Sequence, residues 1–160
     1  MNFRVGFGFD VHQITENRKL FLGGVEIDAP FGLDGHSDAD VLIHAICDAL
    51  LGAAAMGDIG WHFPNTDSQF KNISSIILLE KVNALLTQNH YVISNIDSTL
   101  CMEAPKIKPY IPKMIRTMAT ALNIKENQIS IKATTNEQLG YVGAMQGINA
   151  YATALIYSKI

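Results

Sequence analysis

The apolar run from about Ala39 to Met56 restricts the fold of this chain more than any other segment does. Its residues are apolar on most faces of a helix, so a helix here must be buried on nearly all sides. His44 and Asp48 interrupt the run four residues apart on one face, and the run is too short to span a bilayer. We expect a central helix that ends at Gly57 and carries two polar side chains inside the core.

The segments around this helix predict a layer of strands. Phe3, Val5, Phe7 and Phe9 alternate with Arg4, Gly6 and Gly8 as one strand, and residues 20–27 predict a strand with a turn or bulge at Gly23-Gly24. Strands are also predicted over residues 91–102, 129–133 and 148–156. Further helices are predicted over 74–88 and from about 109 to 123, and either Ser37 or Asp38 is expected to cap the central helix. This order predicts one α+β domain over residues 1–160, a mixed four-stranded sheet with helices on one face. The last strand is apolar on both faces, so we expect a subunit interface to cover it.

Composition excludes several classes of function. The chain has 160 residues, enough for one domain with a substantial core, and a net charge of -3 without a block dense in Lys or Arg. That charge pattern argues against nucleic-acid binding. Cys47 and Cys101 form no CxxC motif and no membrane segment is visible, so the expected compartment is the reducing cytoplasm.

Asp10 and His12 lie two residues apart where the first predicted strand ends. Residues i and i+2 of a strand share a face, so both side chains can converge on one ion. His44 needs a polar partner inside its apolar helix, and one carboxylate with two imidazoles is the three-ligand pattern of a catalytic zinc site. In the alternative interpretation the strand simply ends at a turn and His44 is a core histidine with ordinary hydrogen bonds.

A second polar segment follows the strand predicted over residues 129–133. Thr134, Thr135 and Glu137 offer hydroxyl and backbone donors to phosphate oxygens, and a carboxylate for a hard cation such as Mg²⁺. Thr134 and Glu137 also fit a capping box, so a plain helix start is an equal alternative. Lys106 supplies one cation after Ala104 and Pro105 and indicates little by itself.

Together these segments resemble one enzyme family, 2-C-methyl-D-erythritol 2,4-cyclodiphosphate synthase of the non-mevalonate isoprenoid pathway. The resemblance covers essentially the whole chain, through GFDVH, HSDADVLIHAICDALLGAAAMGDIG, FPNTD, EAPK, KATTNEQLGYVG and QGI. It implies a phosphorus–oxygen lyase that forms a homotrimer with active sites between adjacent subunits. In the implied reaction, an oxygen of the 2-phosphate of 4-diphosphocytidyl-2-C-methyl-D-erythritol 2-phosphate attacks the β-phosphorus, and CMP leaves.

The resemblance also implies roles for individual residues. Asp10, His12 and His44 correspond to zinc ligands, and Glu137 to the ligand of a second ion, Mg²⁺ or Mn²⁺. His36, Ser37 and Thr135 correspond to residues that assist the transfer. The substrate-binding positions are Asp58, Gly60, Phe63, Asn65, Asp67, Ala104, Pro105, Lys106, Lys132, Ala133, Thr134, Glu137 and Tyr141.

The sequence departs from the family's usual pattern at several positions. Asn65 stands where an aspartate is common, so a contact to a substrate hydroxyl is expected to change. Ala144 and Gln146 stand where Arg and Glu are often found, which puts in question an anion site on the threefold axis; Lys108 adds charge near the nucleotide. Two rival functions are a zinc-dependent phosphoester hydrolase that uses metal-bound water and a non-catalytic, nucleotide-binding trimer.

Overall fold

The structure is a computed structural model that describes residues 2–64 and 66–158, apart from the side chain of Ser68. Its strands are β1 (Phe3–Thr15), β2 (Leu20–Leu22), β3 (Val25–Ile27), β4 (Gly32–Leu33), β5 (Tyr91–Cys101), β6 (Ile129–Thr134) and β7 (Gly147–Ser158). Its helices are α1 (Val41–Ala53), α2 (Ile59–His62), α3 (Ser75–Gln88), α4 (Ile111–Leu122) and α5 (Gly140–Gly143).

The main sheet has five strands in the order β4-β1-β7-β5-β6. Only β5 and β6 run parallel in it, so the predicted mixed sheet is confirmed. The predicted number of four strands was wrong, because the two-residue β4 pairs with the end of β1. The segment predicted over residues 20–27 has its turn at Gly23 and Gly24, with φ of 58° and 73°, and this turn divides it into an antiparallel pair, β2 and β3.

Helix α1 occupies the centre of the core, as its sequence predicts. A Cβ at Gly6 or Gly8 would lie 1.9 Å from the carbonyl oxygens of Ala49 or Ala45, so the absence of a side chain lets β1 lie directly against α1. This close approach joins the two elements that carry the predicted zinc ligands. No helix of the described chain, α1 included, is long and apolar enough to cross a membrane.

The cap of α1 differs from the sequence prediction. Ala39 has φ of 59°, which stops the helix from extending back to Ser37 or Asp38. Asp40 is the N-cap instead, and its carboxylate accepts from the backbone N–H of Ile43 at 3.1 Å. The same carboxylate accepts from the N–H groups at the β2–β3 turn at 3.0 and 2.7 Å. Burial raises the pKa of Asp40 to about 6, with the Asp38 charge adding to the effect.

Among the described residues, no helix or loop covers the outer face of the sheet. Phe3, Val5, Phe7, Phe9 and Val11 alternate outward from β1, and Phe7 is 65% exposed. Tyr151 on β7 continues this apolar outer face, with its ring centroid 5.2 Å from that of Phe9. The opposite, inner face packs against α1, which contacts both β1 and β7.

Candidate metal and phosphate site

Asp10, His12 and His44 meet where β1 lies against α1. Asp10 Oδ2 is 2.9 Å from His12 Nε2 and 3.0 Å from His44 Nδ1, and those ring nitrogens are 3.1 Å apart. Tetrahedral zinc with bonds of about 2.0–2.1 Å holds its ligand atoms about 3.3 Å apart. The three donors therefore fit a divalent cation after a small outward movement, and these residues form a candidate metal site.

The charges of this cluster favour a cation. Burial works to raise the pKa of Asp10, but hydrogen bonds and charge interactions with His12 and His44 prevail and lower it to about 2. Burial works to lower the pKa of His12, but the hydrogen bond and charge of Asp10 prevail and raise it. Asp10 is thus ionised at neutral pH, and a metal ion competes with a proton for His12.

The second nitrogen of each imidazole faces a fixed partner. His12 Nδ1 lies 2.6 Å from the carbonyl oxygen of Asp34, which accepts a hydrogen bond from the Nδ1–H and leaves the Nε2 lone pair for the cluster. His44 Nε2 lies 3.1 Å from Ser37 Oγ and 3.0 Å from Ser75 Oγ. His44 is therefore both a hydrogen-bonded core histidine and a cluster member, so the two interpretations of its sequence position are compatible.

Asp48, the other polar residue of α1, has a different task. Its Oδ1 accepts from the backbone N–H of Ile59 at 2.8 Å and so anchors the start of α2. Burial raises the pKa of Asp48, and the bond from Ile59 opposes the rise. The sequence spacing paired it with His44, but only the imidazole belongs to the cluster.

A pocket of about 240 Å³ opens beside the cluster. It brings together seven residues predicted for the site: Asp10, His12, His36, Ser37, His44, Gly60 and Phe63. Its remaining wall was not predicted: Gly35, Ile59, Phe70, Ile73 and Leu78. The Nε2 atom of His36 is buried without a hydrogen-bond partner among the described residues, so a polar group in the pocket is needed to satisfy it.

The loop that carries His36 and Ser37 is held by a residue that sequence reasoning missed. Arg18 donates from Nη1 to the carbonyl oxygen of Gly35 and from Nη2 to that of Ser37, both at 2.5 Å. The backbone N–H of Asn72 donates to the carbonyl oxygen of His36 at 2.8 Å. These bonds fix the loop before any ligand arrives, and the distance of Arg18 along the chain left no signal in the sequence.

The other predicted site residues lie at the carboxyl ends of two neighbouring parallel strands. Ala104, Pro105 and Lys106 follow β5, and Thr134, Thr135 and Glu137 end or follow β6. Glu103, which was not predicted, joins the two loops, because its Oε1 accepts from the backbone N–H of Asn136 at 2.8 Å and of Gln138 at 3.3 Å. Within the described part of the chain, none of these predicted residues lines the pocket around Asp10.

The helix-start interpretation of Thr134 and Glu137 was wrong. Glu137 and Gln138 have φ of 51° and 64°, and α5 begins only at Gly140. Glu137 Oε1 instead accepts from Thr135 Oγ1 at 3.1 Å. Thr134 at the end of β6, and Thr135 and Glu137 after it, are exposed, so a ligand can reach them.

The remaining predicted residues are distributed around these two regions. Asp58 caps α2 by accepting from the N–H of Trp61 at 2.9 Å, and Asp67 accepts from the N–H of Gln69 at 3.0 Å. Asn65 lies outside the described residues.

Three residues belong to the surroundings of the β5 and β6 ends. Lys132 on β6 pairs with Asp97 at 2.6 Å, and the hydroxyl of Tyr141 accepts from Asn149 Nδ2 at 2.9 Å. Ala133, between Lys132 and Thr134, is exposed. The ion pair with Lys132 lowers the pKa of Asp97.

Sequence comparisons relate this chain to one enzyme family. The YgbB family model matches residues 3–157. The 2-C-methyl-D-erythritol 2,4-cyclodiphosphate synthases of Clostridium botulinum and Bacteroides thetaiotaomicron are 58% and 57% identical over 156 residues, covering 98% of this chain and 99% and 98% of theirs.

Solved structures show the same fold. The Plasmodium falciparum IspF structure, described as a CDP complex, has a TM-score of 0.87 at 36% identity and covers 99% of this chain and 98% of its own. The bifunctional IspDF of Campylobacter jejuni has a TM-score of 0.95 at 39% identity over 98% of this chain. This chain spans 42% of the length of that bifunctional protein.

Proposed function

This chain belongs to the YgbB family of 2-C-methyl-D-erythritol 2,4-cyclodiphosphate synthases, and we propose that its reaction takes place in the pocket around Asp10, His12 and His44. The whole chain, residues 1–160, would act as one synthase domain. The substrate is 4-diphosphocytidyl-2-C-methyl-D-erythritol 2-phosphate, and the products are the 2,4-cyclodiphosphate and CMP.

One observation carries the placement of the reaction. Three donor atoms from two elements converge to about 3 Å at the edge of a pocket, and the same pocket holds an unsatisfied imidazole nitrogen of His36. A cation at the donors and a phosphate oxygen at His36 satisfy both requirements at once.

The residues fit two divalent cations. Asp10, His12 and His44 would hold zinc, and Glu137 would hold Mg²⁺ or Mn²⁺ at the diphosphate. Bound there, zinc supplies Lewis-acid polarisation of a phosphate oxygen.

The protein's own groups have a positioning task. The attack is intramolecular and needs no external nucleophile. The rate acceleration therefore comes from the alignment of two phosphates and from hydrogen-bond donors held in position. His36 and Ser37 stand on the loop fixed by Arg18 and would orient the 2-phosphate. Thr135 would donate to the diphosphate from the turn after β6, and Asp58 with Gly60 would contact the methylerythritol part.

Two copies of the chain would complete each site. Asp10 pairs with Ala150, which pairs with Leu100, which pairs with Ala133, so three strand spacings of about 4.8 Å separate the metal cluster from the end of β6 by about 14 Å. The apolar outer face also requires a cover. A homotrimer would satisfy both requirements. In it, residues Ala104 to Lys106 and Thr134 to Glu137 of one copy would lie at the pocket of the neighbouring copy.

Phosphorus NMR tests the reaction directly. The purified protein is given the diphosphocytidyl substrate as prepared, after chelation, and with zinc and Mg²⁺ restored. Release of CMP with the two coupled resonances of a cyclic diphosphate, lost on chelation, is the expected result. A linear phosphate product would establish the hydrolase instead, and an unchanged spectrum in the metal-replete sample would leave a nucleotide-binding protein.

A further inference from the structure

The two nitrogens of His44 have separate surroundings. Nδ1 faces Asp10 and His12 at 3.0 and 3.1 Å, and Nε2 faces two hydroxyl groups, Ser75 Oγ at 3.0 Å and Ser37 Oγ at 3.1 Å. A neutral imidazole carries one proton, and a nitrogen that binds a cation must present its lone pair. If Nδ1 faces the cation, the proton lies on Nε2, and one of the two serine oxygens must accept the hydrogen bond from that N–H.

Ser75 is the serine whose oxygen is left as an acceptor. It is completely buried at the start of α3, and its hydroxyl donates to Asp38 Oδ1. Its backbone N–H donates to Asp38 Oδ2 at 2.9 Å, so the carboxylate is held from two directions. Because the Ser75 proton is committed to Asp38, the lone pairs of Ser75 Oγ point to other donors, and His44 Nε2 is the donor within reach.

The hydroxyl of Ser37 has the opposite hydrogen-bond role, because its oxygen already accepts a bond and its proton remains free to be donated. Its Oγ accepts from the backbone N–H of Ala39 at 3.1 Å. The Ser75 oxygen lies 3.5 Å away, at the limit of a hydrogen bond. Ser37 lines the pocket. Because Ser75 accepts the hydrogen bond from His44 Nε2–H, Ser37 can donate its own hydroxyl hydrogen bond to a phosphate oxygen in the pocket.

We infer that Asp38 and Ser75 are positioning residues for the reaction. The chain of hydrogen bonds from His44 Nε2 to Ser75 and from Ser75 to Asp38 holds the imidazole with Nδ1 toward the cation and leaves the Ser37 proton for the substrate. Neither Asp38 nor Ser75 lines the pocket within the described residues, so they act through His44 and Ser37. The inference rests on the proposed function, because it assigns the cation and the phosphate to the two ends of the network.

The variant Ser75→Ala tests this chain of hydrogen bonds from His44 through Ser75 to Asp38, called the relay below. It removes the acceptor and keeps the backbone N–H that holds Asp38. Loss of such an outer partner typically weakens metal binding 10–100-fold. We expect the zinc Kd, measured by competition with a chromogenic chelator, to rise about 10-fold or more, and kcat to fall about 10-fold with little change in KM. Ser74→Ala is the matched control, because Ser74 is exposed and makes no side-chain capping bond.

Nitrogen NMR of the zinc-loaded protein gives a readout that a merely structural role would not change. With ¹⁵N-labelled histidine, the wild-type His44 should show Nδ1 bound to zinc and a slowly exchanging proton on Nε2. In Ser75→Ala that proton should exchange faster, because its remaining acceptor Ser37 lies at the pocket.

Three outcomes would overturn the inference. Coordination through Nε2 in the wild-type protein would reverse the tautomer, and this measurement needs no variant. Unchanged zinc affinity and proton exchange in Ser75→Ala, while the wild type still binds zinc, would remove the relay and leave the proposed function intact. Failure of the wild type to bind zinc would remove the proposed metal site together with the relay.

Discussion

The sequence indicates two polar regions: the candidate metal site, here called the metal cluster (Asp10, His12 and His44), and the turn after β6. They differ in how far contacts within one chain fix their side chains. Asp10, His12 and His44 are held by the contact of β1 with α1, with partners on both sides of each imidazole. Thr135 and Glu137 are exposed on a turn and hydrogen-bond mainly to each other.

This difference indicates that the two regions bind their ligands in different ways. A region with a fixed donor set can hold its ligand in the isolated chain, whereas exposed loops need a second surface to enclose a ligand. The metal cluster should therefore respond to changes in its own residues alone. The β6 turn should respond to assembly and to the second cation.

His44→Ala should have the largest effect, because it removes one of three donors from the cluster. We expect loss of bound zinc and a fall in turnover of about 10³-fold or more, measured by metal analysis and phosphorus NMR. The control is His90→Asn, since His90 is exposed with φ of 63°, a conformation that Asn tolerates. Full activity in a zinc-depleted His44→Ala protein would contradict the role of the cluster.

Phe7→Arg should separate the two regions. A charge on the outer sheet face disfavours burial against another copy, so sedimentation velocity should show smaller species and turnover should fall about 100-fold with zinc retained. Ile77→Arg is matched, because Ile77 is a 42% exposed apolar residue on α3, away from the outer sheet face. A dissociated Phe7→Arg protein with normal turnover would show that a single chain forms a complete active site.

Glu137→Gln should have a smaller effect, confined to the second cation. The amide oxygen still accepts from Thr135, but the charge that attracts Mg²⁺ is lost. The Mg²⁺ concentration for half-maximal turnover should rise about 10-fold with zinc content unchanged. An unaltered Mg²⁺ titration, equal to that of the exposed control Glu80→Gln, would count against this assignment.

The pH dependence of the metal-free protein should show the smallest effect. Asp10 raises the pKa of His12, so the stability that His12 contributes is fully present below its ordinary pKa of 6.5 and is lost as pH rises through the raised value. Thermal unfolding of chelated wild type and His12→Gln should therefore differ most near pH 6 and converge at higher pH. Apparent zinc affinity should change in the opposite direction, weakening as pH falls. A stability difference that grows with pH would contradict the pairing.

Much of this molecule could be predicted from local pattern. The buried central helix and the mixed sheet follow from periodicities that a short window of sequence contains. The positions of Asp10 and His12 on one strand face and the apolarity around His44 made these residues candidate metal ligands, and the family resemblance favoured that interpretation over an ordinary turn and a core histidine. The same resemblance added predicted roles for the loop residues.

Other features depend on contacts between residues far apart in the chain. Arg18, Ser75 and Glu103 look like ordinary surface residues in sequence, and only folding places them against the pocket loop, His44 and the β6 turn. The cap of α1 moved to Asp40 because one left-handed residue redirected the chain. Sequence determined which groups can bind a cation or a phosphate, since that is a property of each side chain. Tertiary structure decided how those groups are oriented, since a hydrogen-bond partner is set by distance in space.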